Sequence, residues 1–463
     1  MEAEHEPDTR LEEELTEEEL EAEQLSELIE AFETGKPGEV LENLDAYHPA
    51  DAADLLEQLP RSVLSETAEL LGEQFPTEIL LELRDEYREI VVDNLPDAAI
   101  SEAVNSLDSD DAALILEDLA EDRQSAILEN MEIRDREELE RVLAFDEESA
   151  GRLMQRDFLA APEFWTVGQA VDHARANAED LPDVFFEIYI IDPAFRVVGA
   201  VPLHKIMRTP RSVPLGQIAE EIEVEIGPDM DQEEVAYLFQ KYDLTSAPVV
   251  DESGRLTGMV TIDDVVDVIQ EENREDLLAL SGVSSAGGFD TVVSSFRSRA
   301  PWLLINVFTA FIASGVISMF SATIDSYVAL AVLMPVVVAL GGNAGSQTLA
   351  VSVRGIAERE LSGSAARRAI VRELLTAIIN GIVFSAAVAV IAFFWFADVR
   401  LSLVIAIAMI GTFLWAGLSG ILIPLGLQRL GADPAVSSSV FLLTTVDIVG
   451  FLSFLGLATL LLL

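Results

Sequence analysis

Five long apolar segments in the C-terminal part of the chain place the strongest constraint on its fold. They lie at roughly 301–323, 327–353, 374–396, 401–427 and 434–462. An α-helix needs about 20 apolar residues to cross a bilayer, and each segment is close to that length or longer. Backbone polar groups inside hydrocarbon must be paired within the protein, so such segments form helices. We therefore predict a five-helix transmembrane domain at 301–463.

The net charge of −54 is confined to the rest of the chain. Residues 301–463 carry seven acidic and seven basic residues, so the whole excess of acid lies in residues 1–300. Lysine occurs only at Lys36, Lys205 and Lys241. This composition is typical of halophilic organisms, where molar salt shortens the Debye length to about 3 Å. Because such acidity is general, one acidic side chain does not indicate a cation site, and no nucleic-acid partner is expected.

Arginines around the apolar segments predict the orientation of the bundle. They precede the first segment and occupy the loops after the second and fourth: Arg297, Arg299, Arg354, Arg359, Arg367, Arg368, Arg372 and Arg429. Basic loops stay in the cytoplasm, and the Glu-rich N-terminus lacks the pattern of a signal peptide. We expect a multi-pass protein of the cell membrane, in contact with lipid, with cytoplasmic N-terminal domains and the C-terminus outside. An odd number of segments argues against an internally duplicated transporter, so any symmetry must come from oligomerisation.

Cysteine and histidine usage excludes several classes of site. The chain has no cysteine, which excludes disulfides, zinc–thiolate sites and thiol redox chemistry. Its four histidines are His5, His48, His173 and His204. None lies in the predicted bundle or in an HExxH motif, so an intramembrane metalloprotease is excluded and we expect no enzymatic activity.

The first part of the chain predicts an acidic tail followed by an α-superhelix. The tail covers residues 1–35, and residues 36–146 have helical periodicity interrupted by prolines. The sequence DAADLLEQL at 51–59 reappears as DAALILEDL at 111–119. Short repeated helices with one apolar stripe bury that stripe by stacking on one another.

Residues 147–208 and 209–268 contain a second repeat, of α/β type. Asp192 and Asp251 are equivalent positions 59 residues apart, as are Gly199 and Gly258. The pattern resembles a tandem pair of CBS domains, which suggests ATP as a ligand. A hydroxyl and a carboxylate at a helix start can hold ribose and phosphate, and they are equally suited to capping that helix. The candidate nucleotide residues are Thr245, Ser246, Thr261 and Asp264.

Asp447 is the most informative single residue, because it lies deep in the apolar run Val436–Leu463. A charge in hydrocarbon costs about 2.5–3.5 kcal/mol even on insertion scales, so a buried acid is a functional-site hypothesis. Thr444 lies one turn earlier on the same side, and Ser439 precedes it.

A stretch of glycines and amides interrupts the second segment at Gly341, Gly342, Asn343 and Gln347. Amides are costly in lipid unless they line water or a protein interface. Tight helix packing accounts for the glycines, but it does not require both amides.

Together these features resemble the MgtE family of magnesium channels. The most specific parts are Pro335 with GGNAGSQ at 341–347, Arg354, DPA at 433–435 and DIVG at 447–450. The resemblance implies a Mg²⁺ channel or transporter that works as a homodimer. Its pore residues would be Asp447, Thr444, Ser439, Asn343, Gln347, Gly341 and Gly342. The family often has Asn where this chain has Ser439.

The same resemblance implies regulatory Mg²⁺ ions that hold the cytoplasmic domains together and close the pore when internal Mg²⁺ is plentiful. An acidic connecting helix from Asp263 to about Leu280 and a linker at 282–288 fall largely in the expected connecting region, 269–300. The matching acids are Asp231, Glu233, Asp243, Asp264, Asp267, Glu272, Glu275, Asp276, Asp433 and Asp111.

Two other functions stay open at this point. One is a transporter of a broader range of divalent cations, such as Co²⁺, Mn²⁺ or Ni²⁺. It is disfavoured because the bundle offers no His, no Cys and no acid beyond Asp447. The other is a membrane-anchored nucleotide sensor without a pore, which would leave Asp447 without a purpose.

Overall fold

A computed structural model describes Ile29 and residues 36–177, 181–182, 184–280, 283, 292–357, 359–361 and 363–463. The chain divides into two compact units, Met1–Ile269 and Gln270–Leu463. Most of the predicted acidic tail and most of the predicted linker at 282–288 lie outside the described residues.

Nine short helices follow one another between residues 37 and 142. Prolines start several of them, because a residue without an N–H is tolerated where the backbone donor has no partner in the helix. Pro49 is the first residue of α2, and Pro60, Pro76 and Pro96 precede α3, α4 and α6. The helices are α1 Pro37–Leu44, α2 Pro49–Glu57, α3 Arg61–Leu71, α4 Thr77–Glu82, α5 Asp85–Asn94, α6 Asp97–Ser106, α7 Ser109–Glu117, α8 Glu121–Asn130 and α9 Ile133–Val142.

The predicted α-superhelix is confirmed. Many helices pack on the next but one in sequence, as α1 does on α3, α2 on α4, α3 on α5 and α7 on α9. The repeated sequences lie in α2 and α7 and bury matching residues: Ala52, Ala53, Leu55 and Leu56 in α2, and Ala112, Ala113, Ile115 and Leu116 in α7.

Two α/β repeats follow the superhelix. The elements are α10 Ala150–Leu153, β1 Ala160–Pro162, α11 Val167–Ala176, β2 Glu187–Ile191, β3 Val197–Pro202, α12 Leu203–Arg208, α13 Gln232–Tyr242, β4 Ser246–Val250 and β5 Leu256–Thr261. Strand β2 pairs antiparallel with β3 and parallel with β1, and β4 pairs antiparallel with β5. The registers Tyr189↔Ala200 and Pro248↔Met259 are equivalent at the predicted spacing, so the repeat is confirmed.

Helix α14 runs without a break from Ile262 to Leu280, so it begins in the first unit and ends in the second. This confirms the predicted acidic connecting helix. Within the second unit, Ala279 and Leu280 pack against a cluster of buried apolar residues. The cluster consists of Leu349, Val353, Ala416, Ala435, Leu442 and Val446.

Five described helices are long and apolar enough to cross a membrane. They are α15 Val292–Ser318, α17 Ala329–Ala357, α18 Gly363–Phe396, α19 Val399–Arg429 and α20 Pro434–Leu462, with a short α16 at Ser321–Ser326. Three predicted bounds were wrong. The first helix begins before residue 301 and ends at Ser318 rather than near 323, and the third begins at Gly363 rather than near 374.

Helix α19 forms the centre of the bundle, where it packs on α17, α18 and α20. Helix α15 contributes little to this core and exposes large apolar side chains such as Leu304, Phe308 and Phe311. An exposed apolar helix is suited to contact with lipid or with another chain.

Candidate metal-ion sites

The glycine stretch of α17 packs directly against the segment of α20 that carries Asp447. A Cβ atom added to Gly341 would lie 2.5 Å from Cγ2 of Thr412 and 3.1 Å from Cγ1 of Val446. A Cβ atom on Gly345 would lie 3.2 Å from Leu442. The absence of a side chain therefore allows α17 to approach α19 and α20 closely. The structure brings together two stretches that the sequence marked separately.

The two amides of α17 lie away from this packed face. Asn343 and Gln347 are both exposed, whereas Gly341, Gly345 and Thr348 are buried. Residues four apart share one side of a helix, so the two amides form a single polar stripe. Close packing explains the glycines, and the amides remain available to a water-filled path or a partner.

Asp447 itself is partly buried and has no ion-pair partner among the described residues. Thr444 and Ser439 are also partly buried, and the Thr444 hydroxyl donates to the carbonyl of Val440 at 2.6 Å. Ser438, which the sequence did not single out, is fully buried, and its hydroxyl bonds to no described group. Helix α20 thus carries an uncompensated carboxylate and an unsatisfied hydroxyl within one apolar segment.

A cluster of carboxylates forms where α7 meets the start of α14, within the first unit. Its members are Asp108, Asp110, Asp111, Asp263, Asp264 and Asp267. Burial, with the nearby charges of Asp108, Asp263 and Asp267 acting in the same direction and Arg88 opposing them, raises the pKa of Asp111 to about 6. Burial raises the pKa of Asp264 as well, against the hydrogen bond from Thr261 and together with the charges of Asp263 and Asp111, and the resulting pKa is about 7.

Asp110 is, with Asp108 and Asp263, one of three members that the sequence reasoning did not predict as ligands. Burial raises its pKa well above the usual range, and Asp264, Asp111 and Asp108 act in the same direction. Its Oδ1 atom is buried and accepts no hydrogen bond from any described group. The run DSDD at 108–111 at the start of a helix was the available signal.

A smaller acidic group lies in the second unit. Burial raises the pKa of Asp276 on α14, and the charges of Asp433 and Glu275 raise it further. Asp433 is exposed and caps α20, where its side chain accepts from the backbone N–H of Ala435 at 2.7 Å. Glu272 is on the same helix as Asp276 and is partly buried.

Three predicted regulatory acids, Asp231, Glu233 and Asp243, lie on α13 or at its ends, and two of them have evident structural roles. Asp231 caps α13 by accepting from the backbone N–H of Glu233 at 2.9 Å. Asp243 ends the same helix in the left-handed conformation, with φ of 52°. All three side chains are exposed. Within the described part of the chain, no three His, Cys, Asp or Glu side chains converge closely enough to hold a metal ion.

Comparison with known sequences covers nearly the whole chain. The model of a divalent cation transporter family, MgtE, matches residues 334–457, that of the MgtE intracellular N domain matches 47–148, and that of the CBS domain matches 216–271. A magnesium transporter MgtE of Thermus thermophilus is 31% identical over 448 residues, which are 89% of this chain and 98% of the relative. The magnesium transporter MgtE of Bacillus subtilis is 30% identical over 93% of this chain and 96% of its own.

The chain belongs to the MgtE family. Among solved structures, the ATP complex of the cytosolic domain of the Mg²⁺ channel MgtE is similar to 53% of this chain and 99% of its own, with 32% identity and a TM-score of 0.49. The soluble part of a magnesium transporter gives 21% identity and a TM-score of 0.48 over 54% of this chain.

In this MgtE protein, three of the four predicted nucleotide residues are already engaged within the fold. The hydroxyl of Thr261 is fully buried and donates to Asp264 at 2.6 Å. The hydroxyl of Ser246 donates to Glu187 at 3.1 Å. Thr245 alone is exposed. Thr261, Asp264 and Ser246, as arranged, do not offer free hydrogen-bond donors to a phosphate.

Glu373 corrects the expectation that Asp447 is the only acid in the bundle of this MgtE protein. Because α18 begins earlier than predicted, Glu373 lies inside the candidate span Ala365–Phe396. Its side chain is only 13% exposed. The arginines that surround it in sequence made the segment resemble a loop, and hydropathy gave no signal of the helix.

Proposed function

We propose that this protein is a homodimeric Mg²⁺ channel or transporter of the cell membrane, gated by cytoplasmic Mg²⁺. The observation that carries the proposal is the packing of the glycine–amide stretch of α17 against the Asp447 segment of α20, in a chain of the MgtE family. The relatives aligned over almost their whole length are named magnesium transporters. The exposed apolar α15 is consistent with lipid contact, and the arginine distribution supports a C-terminus outside the cell.

The chemistry of the α17 and α20 residues suits a hydrated divalent ion. Mg²⁺ gives up its water reluctantly and is usually held by few carboxylates, with other oxygens contacting its bound waters. Two copies of Asp447 facing each other across a two-fold axis would supply two negative charges. Asn343, Gln347 and Thr444 would supply neutral oxygens for the water shell. One carboxylate per chain attracts the ion without holding it permanently.

Flux measurement with a neutral variant tests the pore. The purified protein is reconstituted in liposomes, and Mg²⁺ entry is followed for the wild type, Asp447→Asn and Asp325→Asn. We expect the Mg²⁺ flux of Asp447→Asn to be at least about tenfold lower than that of the wild type, and a factor of ten corresponds to about 1.4 kcal/mol. Asp325→Asn, which alters an exposed acid at a helix end, should keep the wild-type flux. Unchanged permeation and selectivity in Asp447→Asn would falsify the proposed pore.

The acidic cluster of the first unit supports a regulatory cation, which would draw the carboxylates closer together than they lie in the described arrangement. The buried, unpartnered Oδ1 of Asp110 and the raised pKa values of Asp111 and Asp264 mean that the ionised carboxylates repel one another without a cation between them. Bound Mg²⁺ would neutralise that repulsion and favour a compact arrangement of α7 and α14. Loss of the ion would favour separation, and α14 leads from there toward the membrane helices. Asp267, Asp276 and Asp433 are proposed as further ligands, with Glu272 and Glu275.

Proteolytic protection distinguishes direct ligation from charge screening. Full-length protein in detergent is digested in Mg²⁺ and in KCl of matched ionic strength. We expect Mg²⁺ alone to protect the first unit, and Asp110→Asn to weaken that protection. Glu252→Gln, a change in an exposed turn, serves as the control. Equal protection by KCl would show that screening, rather than ligation, closes the domains.

Flux competition and nucleotide titration test the alternatives. A broader divalent transporter would carry Co²⁺ or Mn²⁺ as fast as Mg²⁺ in the same liposomes. ATP binding is proposed only because a solved relative carries it; calorimetric titration of the wild type and Thr245→Ala checks it. Binding of ATP without any ion flux would instead favour a nucleotide sensor.

A further inference from the structure

Glu373 is a buried carboxylate that the proposed ion path does not use. It lies in the candidate span Ala365–Phe396, and 87% of its side chain is hidden from solvent, as its exposure of 13% indicates. Its one described ionic neighbour is the adjacent Arg372, whose Nε is 3.3 Å from Oε1 and whose side chain is 66% exposed. Ionisable residues held inside a membrane domain are costly and are functional candidates by default.

The other oxygen of Glu373 faces helix α17. The hydroxyl of Thr348 donates to Oε2 over a long distance of 3.5 Å. Thr348 is the residue after Gln347, and only 9% of it is exposed. The hydroxyl of Ser352, one turn later, donates to the carbonyl of Thr348 at 2.7 Å.

Thr348 is held from a second side by α19. A Cβ atom added to Gly420 would lie 2.9 Å from the Thr348 Cβ and 2.9 Å from the carbonyl oxygen of Gly345. Helix α18 is close to α19 at the level of Glu373, because a Cβ on Gly417 would lie 2.7 Å from Ala377 and 3.5 Å from the Glu373 carbonyl oxygen. Thr348 therefore lies between α19 and the Glu373 carboxylate.

We propose that Glu373 is a positioning residue, which fixes the rotation of α17 about its axis through Thr348. Consecutive residues of an α-helix are turned by about 100°. Anchoring Thr348 on the packed side therefore also fixes the direction of Gln347 and of Asn343, one turn before it. These two amides form the exposed polar stripe on another side of the helix. The inference rests on the proposed function for the importance of that stripe, but the geometry can be measured without transport.

Thiol labelling tests the orientation directly, because the chain has no native cysteine. Gln347→Cys is placed in the full-length protein, and its rate of modification by a water-soluble, membrane-impermeant maleimide is measured. In the Glu373→Ala background we expect this rate to change at least about tenfold. In the Glu373→Gln background, which keeps the size and the acceptor oxygen, it should stay within about twofold. Thr376→Cys, on the exposed side of α18, is the matched control and should react equally in every background.

Thr348→Val removes the hydrogen-bond donor at nearly constant shape, and we expect it to reproduce the effect of Glu373→Ala. It also keeps the test decisive if Glu373→Ala does not fold. An unchanged labelling rate in both variants would overturn the inference. A change in Glu373→Gln as large as in Glu373→Ala would also overturn it, because the charge rather than the contact would then matter.

Mg²⁺ flux is measured on the same samples. Absent flux in the wild type would contradict the proposed function, while the labelling rates still decide the role of Glu373. With flux present, we expect Glu373→Ala to lower the ratio of Mg²⁺ to Co²⁺ entry about threefold or more, and Glu373→Gln to retain it.

Discussion

Several carboxylate side chains in this protein are buried without a positively charged group among the described residues to balance them. Glu187, at the start of β2, is the clearest case outside the candidate metal-ion sites. It accepts a hydrogen bond from Ser246, the equivalent residue of the second repeat, and lies near Tyr189. Burial raises the pKa of Glu187, and Glu220 raises it further, while the bonds from Ser246 and Tyr189 oppose the rise.

Glu187→Gln should flatten the pH dependence of stability. The folded pKa of Glu187 lies above its unfolded value, so its contribution to stability is complete at acid pH and is lost as pH rises through the folded pKa. The difference in the free energy of unfolding between the wild type and Glu187→Gln should change by up to about 1.4 kcal/mol per pH unit between the unfolded and the folded pKa. Thermal unfolding of the protein in detergent, from about pH 4.5 to pH 8, measures it. Glu252→Gln, in an exposed turn, should keep the wild-type slope, and the same slope in Glu187→Gln would contradict the assignment.

At the scale of elements, close packing of small residues assembles the membrane helices. Helix α19 is approached by α17 at Gly341 and by α18 at Gly417, where a single methyl group would overlap a neighbour. Such contacts are typical of helix association in lipid, where apolar burial gives no driving force between helices.

Gly341→Ala should destabilise the bundle by about 1–3 kcal/mol, the usual cost of overpacking. Gly456→Ala on α20, where nothing lies within 4 Å of the added Cβ, is the control and should be neutral. Adding Thr412→Ala removes the group that the new methyl contacts, so the double variant should recover part of the loss. The melting temperature in detergent measures the change in stability of each of the three variants. An equal loss in Gly456→Ala would contradict the role of the contact at Gly341, because alanine favours a helix over glycine and meets no neighbour at position 456.

Partly buried ion pairs join the superhelix to the α/β repeats. The Nε of Arg152 on α10 is 2.8 Å from Glu117 on α7, and the Nε of Arg156 is 3.1 Å from Glu138 on α9. The backbone N–H of Arg156 also donates to Ser109 at 3.0 Å.

Arg152→Met should cost about 1–3 kcal/mol, because it leaves the partly buried carboxylate of Glu117 without its partner. Removing both charges in Glu117→Gln with Arg152→Met should restore most of the stability. Arg141→Ala, which deletes a bond within α9, should have little effect. Urea unfolding followed by the fluorescence of Trp165 reports on the first unit, and additive losses in the double variant would argue against a coupled pair.

At the scale of the whole molecule, the net charge of −54 determines how stability responds to salt. The excess of acid lies before residue 301, where ionised carboxylates repel one another over a Debye length of about 10 Å at 0.1 M salt. Molar salt shortens that length to about 3 Å.

Raising KCl from about 0.1 M to 2 M should therefore increase the melting temperature of the full-length protein by several degrees, mainly through the first unit. NaCl should act equally, because screening depends on ionic strength. Millimolar Mg²⁺ added in 2 M KCl should still raise the melting temperature further. A fall in stability with KCl would contradict adaptation to high salt.

Much of the fold could be predicted from particular patterns. The repeats at 51–59 and 111–119, and the equivalent pair Asp192 and Asp251, gave the superhelix and the α/β pair because each repeated unit folds in the same way. Hydropathy gave the five membrane helices but misplaced the start of α18, since Arg367, Arg368 and Arg372 masked its first turns. Glu373 was missed for that reason, and Asp110 because a general excess of acid hides a specific one.

Sequence alone identified five segments that cross the membrane, because the cost of leaving a backbone group or a charge unpaired in lipid is a local property of each segment, but it misplaced the start of α18. It also marked Asp447 and the amide pair on that ground. The close contacts of Gly341 and Gly345 with α19 and α20, the proximity of Asp110 to Asp264 and the contact of Glu373 with Thr348 followed only from the fold. Those relations depend on distances between residues far apart in sequence, which the packing of the helices sets.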